Sequence, residues 1–495
     1  MRKTEINLVP NIENKTPDYY CTWQTQLFAT SNGRPPMQRK TICEKSLFDR
    51  EKPYGWAYFH EKAQRDLLLI MDDSWDVPLD GNTDYYGSLI LNEEKFPSFT
   101  EGKTNAEALG ALTKKVKDLG WKGLGGWVCA QESAFCDESP EEYWKKRLIE
   151  ADEAGFAYWK VDWGKKDNDK EFRKMLTSLA EKYAPNLIIE HSFRKDVIPF
   201  SHIFRTYDVP AIMSIPMTME KLAEYSDVPA PEKEGFGLID CEDEAYIAAA
   251  GGFAMGIMRH PYVGVLPNGK ADPSFPEFHR NIKSKQYEVI RAARFHRIAP
   301  AFPISSESTN ISDLKLDDTW QFISKEEEIE GWWLVHMGSI FRHISEDDLL
   351  TKTAPAAISR GCELPKVEPD EKGNIPYCMA SKNPSGAYAI ATLGRTLERD
   401  YFIPKCHITA QIEDAETVGI FGEYASLTLA ANYSDATCVL MQDLAAESAY
   451  DITDEVEIKE NKIIIPGELI SRLGRSEQGE DDTSEPGVLV RIVRK

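Results

Sequence analysis

Four apolar runs in the first half of the chain end in charged side chains, and this feature restricts the possible folds more than any other. The runs are DLLLIMDDSW (66–75), FAYWKVDWG (156–164), NLIIEHS (186–192) and HIFRTYDV (202–209). Each run has the length of a strand, and stretches with helical periodicity lie between them. Strands that alternate with helices are typical of a parallel sheet with crossover helices.

A doubly wound sheet and a closed barrel share this alternation, so the position of the polar residues has to separate them. A nucleotide-binding sheet would carry a glycine-rich turn after its first strand, and the sequence contains neither G-x-G-x-x-G nor a P-loop. The active site of a (β/α)₈ barrel is instead built from polar side chains at the carboxyl ends of several successive strands. The sequence therefore predicts a (β/α)₈ TIM barrel in the α/β class.

Further segments complete the predicted barrel. A helix is expected from Thr104, and a second one is expected between a cap at Ser139 and a stop at Gly155. Two more strands are predicted at YYCTWQTQLFA (19–29) and WKGLGGWVCAQE (121–132). The last part is predicted as a strand, an alanine-rich helix with a short strand, and an outer helix, at 235–240, 242–261 and 286–300.

The pattern of apolar and polar residues changes near residue 305. Short apolar runs such as AYAIATLG, HITAQIE and SLTLAA follow one another, separated by turn residues. This spacing predicts an all-β sandwich. We therefore expect a catalytic barrel at 1–304, with a short N-terminal extension, and a C-terminal antiparallel β-sandwich at 305–495. The segment 344–376, rich in prolines and acids, is expected to be a long excursion without an assigned role.

The charge balance limits the partners that the chain can have. With 58 basic and 81 acidic residues the formal charge is −23, which argues against nucleic acid or an anionic membrane surface as the main partner. A neutral carbohydrate is compatible with this charge, and so is a homo-oligomer. No apolar segment is long enough for a membrane span, and no signal peptide is recognisable at the N-terminus.

The nine cysteines show no metal-binding pattern. They are scattered, and none forms a C-x-x-C pair or a Cys/His cluster with ligand spacing. We expect free thiols, a reducing cytoplasmic location and no metal.

Two strand-end carboxylates suggest hydrolytic chemistry. Asp162 and Asp208 follow strands of the predicted barrel and would point into the same mouth, where a nucleophile and an acid/base are the minimum for retaining glycoside hydrolysis. Lys160 lies on the same strand face as Asp162 and would favour its ionised form. A single strand-end acid is most often a helix cap or a loop anchor, but several in order favour a site.

Other residues near the predicted mouth are suited to binding a sugar. Asp72 and Asp73 are adjacent carboxylates that could accept bonds from hydroxyls, although a solvated turn is the alternative. Trp75 and Trp127 are the tryptophans for which we expect stacking on a pyranose ring, whereas most of the others are expected to lie in the core.

Taken in order, these motifs resemble those of glycoside hydrolase clan D, families 27 and 36, the α-galactosidases and their relatives. The matching elements are an Asp-Asp-x-Trp step at 72–75, the phrase KFPSF at 95–99, Lys-x-Asp at 160–162, a strand-end glutamate at 190 and an arginine followed by an aspartate at 205 and 208. The sequence departs from the family 27 pattern because it lacks the cysteine after the double aspartate. The spacing between Arg205 and Asp208 is also one residue shorter.

The resemblance implies a retaining exo-glycosidase that needs no metal or organic cofactor. Asp162 would be the nucleophile and Asp208 the acid/base, while Asp72, Asp73 and Lys160 would hold distal hydroxyls. Glu190 and Arg205 would lie near the 2-position of the sugar. Two alternatives stay open: a lyase, aldolase or isomerase that uses Lys160 as a Schiff-base amine, and a catalytically silent sugar-binding barrel.

Overall fold

Eight parallel strands form a closed barrel in the N-terminal part of the chain. The computed structural model describes residues 1–30, 37–207, 209, 213–259, 285–321, 349–398, 400–431, 436–459, 461–480 and 482–494. The strands of the barrel are β2 (Tyr19–Cys21), β3 (Leu68–Met71), β4 (Gly123–Val128), β5 (Tyr158–Val161), β6 (Ile188–His191), β7 (Ile203–Arg205), β8 (Leu238–Glu242) and β9 (Ala254–Ile257). Each strand pairs with the next in parallel, and β2 closes the circle with β9.

Helices cover the outside of the barrel. Among the described residues these are α1 (Trp23–Thr30), α2 (Glu44–Phe48), α3 (Pro97–Thr100), α4 (Asn105–Asp118), α5 (Pro140–Glu153), α6 (Lys170–Tyr183), α7 (Ser214–Tyr225), α8 (Ala245–Gly251) and α9 (Gln286–Phe295). A further helix, α10 (Gly467–Leu473), lies in the C-terminal part and packs on the core there. The predicted cap at Ser139 is present, since its side chain accepts a bond from the Glu142 N–H. At the start of α4, Thr104 and Glu107 form a reciprocal capping box that was not predicted.

One predicted strand is wrong over most of its length. Only Tyr19–Cys21 of the segment 19–29 is extended, and α1 starts at Trp23. The apolar run gave no sign of this change because a short buried strand and a buried helix can have the same composition.

The described residues of the C-terminal part form two larger sheets and two small two-stranded sheets. Its strands are β10 (Thr309–Ile311), β11 (Lys315–Gln321), β12 (Leu349–Pro355), β13 (Ala357–Arg360), β14 (Lys366–Glu368), β15 (Tyr377–Lys382), β16 (Tyr388–Leu393), β17 (Arg395–Leu397), β18 (Asp400–Phe402), β19 (His407–Gln411), β20 (Thr417–Phe421), β21 (Ser426–Ala430), β22 (Ala436–Asp443), β23 (Tyr450–Asp451), β24 (Glu457–Lys459), β25 (Lys462–Pro466) and β26 (Gly487–Arg494).

The two larger sheets pack as a sandwich. One has nine strands in the order β1-β23-β22-β26-β20-β16-β15-β13-β10, where β1 is Arg2–Lys3, and the other has five in the order β14-β19-β21-β25-β24. Apolar side chains of both sheets, among them Ile420 and Val490 from one and Leu427 and Ile463 from the other, form a common core. The predicted fold class, a TIM barrel followed by a β-sandwich, is confirmed.

Two details of the second domain differ from the prediction. The pairs β13–β15, β16–β20 and β19–β21 are parallel, so the sheets are mixed rather than purely antiparallel. The predicted excursion at 344–376 contains β12, β13 and β14 within its described part. Its prolines lie at strand ends and turns, where the missing N–H is tolerated.

The barrel and the nine-stranded sheet share a core. Helices α8 and α9 lie between them, and their buried residues belong to the same apolar cluster as those of the sheet, for example Phe295 and Phe421 at a ring distance of 5.4 Å. In the part of the chain that the structure describes, no helix is long and apolar enough to cross a membrane.

Candidate active site

Successive side chains of a barrel strand point alternately into and out of the barrel. The inward-pointing charged side chains meet at the carboxyl ends of the strands. Tyr158, Lys160 and Asp162 face inward from β5 and its end, whereas Trp159 faces outward and contacts Trp144 of α5 at a ring distance of 6.2 Å. The lower interior is apolar or aromatic, with residues such as Leu68, Ile70 and Ile203. The upper layer is charged: Asp72, Lys160, Asp162, Glu190, Arg205, Asp240 and Glu242 are all buried.

Asp162 lies at the centre of this layer. Its Oδ1 is 3.2 Å from Nη2 of Arg205, and its Oδ2 is 3.5 Å from Nζ of Lys160. The indole Nε1 of Trp127 donates to Oδ2 at 2.9 Å, and the N–H of Trp163 donates to Oδ1 at 2.9 Å. Both oxygens are therefore oriented by donors or cations.

These contacts determine the protonation state of Asp162. Burial alone would raise the pKa of its carboxyl group, but the Arg205 and Lys160 cations and the Trp127 N–H lower the pKa to about 2. Asp162 is consequently an ionised carboxylate at any pH at which the protein would work.

Lys160 is held by a second carboxylate. Its Nζ donates to Oδ2 of Asp72 at 2.8 Å, and the Cys21 thiol donates to the same oxygen at 2.9 Å. Burial and Arg205 lower the pKa of Lys160, but Asp72, Cys21 and Asp162 outweigh them and raise its pKa above the usual value. Lys160 is therefore a permanent cation.

Asp73 points to the opposite side from Asp72. Its Oδ2 is 3.1 Å from Nε of Arg39, and its Oδ1 accepts from the Ser74 hydroxyl at 2.5 Å. Ser74 has a φ of 80°, a left-handed conformation that is uncommon for serine and is often found at functional sites. The buried ammonium of Lys95 donates to the Ser74 carbonyl at 2.6 Å and holds this turn in place.

Arg205 connects three carboxylates. Besides Asp162, its Nε lies 3.3 Å from Oε1 of Glu190 and its Nη1 lies 3.2 Å from Oε1 of Glu242. Burial alone would lower the pKa of Arg205, but the surrounding carboxylates raise its pKa above the usual value. A guanidinium can serve three partners because its donors point in fixed, divergent directions.

Two tyrosine hydroxyls lie next to the carboxyl groups of Glu190 and Asp240, below Arg205. Oε2 of Glu190 accepts from the Tyr158 hydroxyl at 2.6 Å. The Tyr19 hydroxyl, which has one proton to donate, lies 3.2 Å from the same oxygen and 3.0 Å from Oδ2 of Asp240. Burial raises the pKa of Asp240 well above its usual value, and the charges of Glu190 and Glu242 raise it further. Burial also raises the pKa of Glu190, against the effect of Arg205.

The two predicted stacking tryptophans have different positions. Trp127 lies beside Asp162, and its ring is 5.4 Å from that of Trp163 and 5.8 Å from that of Tyr86. Trp75 lies in the core, where its Nε1 donates to the Trp127 carbonyl at 2.8 Å, so it anchors β4 and does not face the mouth. Trp163 is only partly buried and is the aromatic side chain next to Asp162 along the chain.

The predicted acid/base, Asp208, lies outside the described residues. The chain on either side of it is described: the Tyr207 ring lies 4.7 Å from the Arg205 guanidinium, and the Val209 N–H donates to Oε2 of Glu242 at 3.0 Å. The assignment of Asp208 therefore stays a prediction from the sequence.

Two members of the charged layer and three side chains in contact with it were not predicted. Tyr19, Cys21, Tyr158, Asp240 and Glu242 all face into the barrel, yet none was singled out as a site residue. One signal was present: GLIDCE at 237–242 is an apolar run that ends in two charged residues two positions apart, as the run before Lys160 and Asp162 does. Among the described residues, no group of three His, Cys, Asp or Glu side chains could hold a metal ion. The nine cysteines are free.

Comparisons with known proteins give similar structures but no similar sequences. No protein-family model matches the chain, and no curated protein matches it. A candidate alpha-N-acetylgalactosaminidase of Bacillus halodurans C-125 is 10% identical, with 99% of this chain and 100% of that chain covered and a TM-score of 0.41. A candidate alpha-galactosidase of Bacteroides fragilis NCTC 9343 is 9% identical, with 97% and 79% covered and a TM-score of 0.37.

An alpha-fucosidase of Thermotoga maritima is 11% identical, with 97% of this chain and 96% of that chain covered and a TM-score of 0.32. The carboxyl transferase domain of Rhizobium etli pyruvate carboxylase also matches, with 12% identity, 60% and 51% covered and a TM-score of 0.29. All of these structures are 12% identical or less and have TM-scores of 0.41 or below, so no activity is transferred from them to this chain.

Proposed function

We propose that the chain is a retaining exo-glycoside hydrolase of the α-galactosidase type, with Asp162 as its nucleophile. The observation that supports this most is the setting of Asp162 between two cations. Its side chain is also the most exposed of the ion-paired group, at 9% against 1% for Lys160, 2% for Arg205 and 3% for Asp72. A nucleophilic carboxylate must be ionised, oriented and reachable, and Asp162 combines these properties.

In the proposed reaction Asp162 attacks the anomeric carbon through one carboxylate oxygen. The glycosidic bond breaks as the new ester bond forms, and the departing oxygen takes a proton from an acid, which we assign to Asp208 from its place after β7. The same residue then removes a proton from water, which attacks the anomeric carbon and releases Asp162. Two displacements at one carbon leave its configuration unchanged.

The residues beside Asp162 suit the binding of hydroxyls. Asp72 and Lys160 offer an acceptor and a donor 2.8 Å apart, a pair that neighbouring hydroxyls on a sugar can bridge. Glu190 is fully buried beneath Arg205, so we assign it to the positioning of Arg205 rather than to direct sugar contact. The choice of an α-galactoside comes from the sequence resemblance alone, as does the expectation that no cofactor is needed. The cytoplasmic location also stays a prediction.

The Schiff-base alternative is not favoured by the state of Lys160. An amine that attacks a carbonyl must lose its proton, which requires a lowered pKa. The carboxylates around Lys160 raise its pKa instead. The second alternative, a silent sugar-binding barrel, predicts the same pocket but no turnover, so an assay separates it from the proposed hydrolase.

Hydrolysis of a panel of aryl α- and β-glycosides tests the proposal. Wild-type protein should cleave at least one α-glycoside, and Asp162→Asn should lower kcat/KM by roughly 10⁴-fold or more, as removal of a covalent nucleophile does in other enzymes. Asp137→Asn is the matched control, because Asp137 is an exposed aspartate on the loop after β4.

The configuration of the first product decides the mechanism. ¹H NMR of the fresh reaction should show the α-anomer from an α-glycoside. The β-anomer as first product would remove the nucleophilic role from Asp162. Full activity of Asp162→Asn would contradict the assignment directly, and a folded wild-type protein that cleaves no member of the panel would favour the silent alternative.

A further inference from the structure

A cavity lined by none of the residues of the charged layer around Asp162 lies next to the loop that follows β3. It has a volume of about 290 Å³ and is bounded by the loop after β3 and the start of α4. Six of the residues that line it are Asp76, Tyr85, Ile90, Asn92, Glu93 and Lys103. Small-molecule pockets usually measure roughly 300–1,000 Å³, so this cavity suits a ligand of the size of one sugar unit.

Asp76 contributes an unsatisfied acceptor to the wall. The residue is only 2% exposed. Oδ2 accepts from the Leu89 N–H at 3.1 Å and lies 3.4 Å from the Ser88 hydroxyl, whereas Oδ1 has no hydrogen-bond partner among the described residues. Burial raises the pKa of this carboxyl group to about 7, against the effect of the Leu89 N–H. A buried acceptor that lacks a protein partner is suited to a donor from a ligand.

Asn92 contributes a donor to the same wall. Its Oδ1 accepts from the N–H groups of Glu94 and Lys95 at 3.1 and 3.3 Å, which orients the amide. In the described part of the chain its Nδ2 makes no hydrogen bond, and the residue is 9% exposed. A hydroxyl group can donate to Asp76 and accept from Asn92, whereas an ammonium ion could only donate. The wall therefore favours a ligand rich in hydroxyls.

Aromatic side chains connect this cavity with the catalytic centre. Tyr85 lines the cavity, and its ring lies 4.9 Å from that of Phe135, which is 57% exposed. The next residue, Tyr86, contacts Trp163 at a ring distance of 5.1 Å, and Trp163 follows Asp162 in the chain. Of these rings Phe135 is exposed, Tyr85 and Trp163 are half-buried and Tyr86 is buried. A ring with an accessible face can stack on the apolar face of a sugar ring.

We propose that the cavity between Asp76, Tyr85 and Asn92 is a second saccharide-binding site, which holds a neutral hexose unit of an oligosaccharide. Asp76 Oδ1 accepts from a hydroxyl, Asn92 Nδ2 donates to a hydroxyl, and the Tyr85 ring covers the apolar face. The proposal uses the proposed function to place the terminal unit of the same oligosaccharide at Asp162, but binding in the cavity does not depend on turnover.

Calorimetric titration of the full-length Asp162→Asn protein with raffinose and with maltotriose tests the site. Tyr85→Ala, added to that protein, should weaken binding of at least one trisaccharide by about tenfold or more. Tyr85→Phe keeps the ring and should bind as the parent does. Asp76→Asn, which replaces the free acceptor by an N–H₂ group, should weaken binding to a similar extent. Phe200→Ala, which removes an aromatic ring of 39% exposure outside the cavity, is the control and should change nothing.

The outcomes separate this proposal from the proposed function. Unchanged titrations for both Tyr85→Ala and Asp76→Asn would overturn the saccharide site, whatever the wild-type protein hydrolyses. Binding of the diamine putrescine in place of either saccharide would overturn it as well. Saccharide binding that depends on Tyr85, in a wild-type protein that cleaves no glycoside, would support the site and contradict the hydrolase.

Discussion

At the scale of single residues, two buried carboxyl groups of one barrel have pKa values that are shifted in opposite directions. Asp162 and Asp240 are both buried, and burial alone raises the pKa of each. Arg205 and Lys160 flank Asp162 and reverse the effect, whereas Asp240 faces the carboxylates of Glu190 and Glu242, which add to it. Carboxyl groups whose environments push their pKa values apart are typical of active sites. The position of cations therefore decides which acid can be a nucleophile.

The loss of kcat/KM at acidic pH should show how strongly Lys160 lowers the pKa of Asp162. In the wild-type protein, protonation of Asp162 should not reduce kcat/KM until the pH falls towards about 2. Lys160→Gln removes a cation that lowers the pKa of Asp162, so the pKa rises and the acidic limb moves to higher pH. The measurement is kcat/KM for an aryl glycoside against pH, with tryptophan fluorescence to confirm the fold at each pH.

Lys166→Gln is the control for that experiment. Lys166 pairs with Glu132 at 2.6 Å and is 27% exposed, away from Asp162. Its removal should leave the limb in place. An unshifted limb in Lys160→Gln would show that Arg205 and Trp127 alone keep Asp162 ionised.

At the scale of elements, the two-residue period of the strands determines which inward-facing side chains can be predicted from the sequence. In β5 the period placed Lys160 and Asp162 on one face, and the structure has them there. In β8 the same period places Asp240 and Glu242 on one face. The predicted strand at 235–240 stops short of Glu242, so the sequence does not identify the two as a pair. In β2, the predicted strand at 19–29 runs on into α1. For this reason the sequence does not show that Tyr19 and Cys21 face into the barrel. The contact between Lys160 and Asp72 could not be predicted, because register between strands is not encoded locally.

Gly256 of β9 provides the space that this layer of side chains needs. A Cβ atom at this position would lie 2.4 Å from Oδ2 of Asp240 and 2.7 Å from the Tyr19 hydroxyl. Gly256→Ala should therefore push these groups apart and lower the free energy of unfolding by about 1–3 kcal/mol, the usual cost of overpacking. Thermal unfolding followed by circular dichroism measures the effect.

Gly110 of α4 is the matched control for this substitution. Its nearest neighbour would be the Cα atom of Ala154 at 3.6 Å, an ordinary contact. Gly110→Ala should be neutral or stabilise the protein by up to about 1 kcal/mol, because alanine favours the helix. Equal effects of the two substitutions would mean that Asp240 and Tyr19 can move without cost.

At the scale of the whole molecule, the barrel and the sandwich are joined by buried charges as well as by apolar packing. Arg291 of α9 donates to both carboxylate oxygens of Asp443, at 2.9 and 3.1 Å, and both side chains are fully buried. Arg360 of β13 donates to the carbonyls of Gly252 and Phe302 at 3.0 and 2.8 Å. The sandwich therefore supports the strands and helices that carry the barrel site.

Removal of one partner of the buried pair should weaken this connection. Arg291→Met leaves the Asp443 carboxylate buried without its cation, which should lower the free energy of unfolding by about 3–5 kcal/mol. Arg491→Met breaks the exposed pair with Glu416, whose side chains are 46% and 41% exposed, and should cost about 0–1 kcal/mol. Urea unfolding followed by fluorescence compares them. A loss in Arg291→Met no larger than in Arg491→Met would show that apolar packing alone holds the domains together.

The sequence by itself determined the fold class, most barrel strands and the pairing of Lys160 with Asp162, because periodicity, caps and strand-end charges are local properties. Only the tertiary structure decided which charges meet: Asp72 with Lys160, Arg205 with three carboxylates, and Tyr19 with Glu190 and Asp240. It also placed Trp75 in the core and Trp127 beside Asp162. The physical reason is that closure of the barrel sets the distances between strands, and the pKa values depend on those distances.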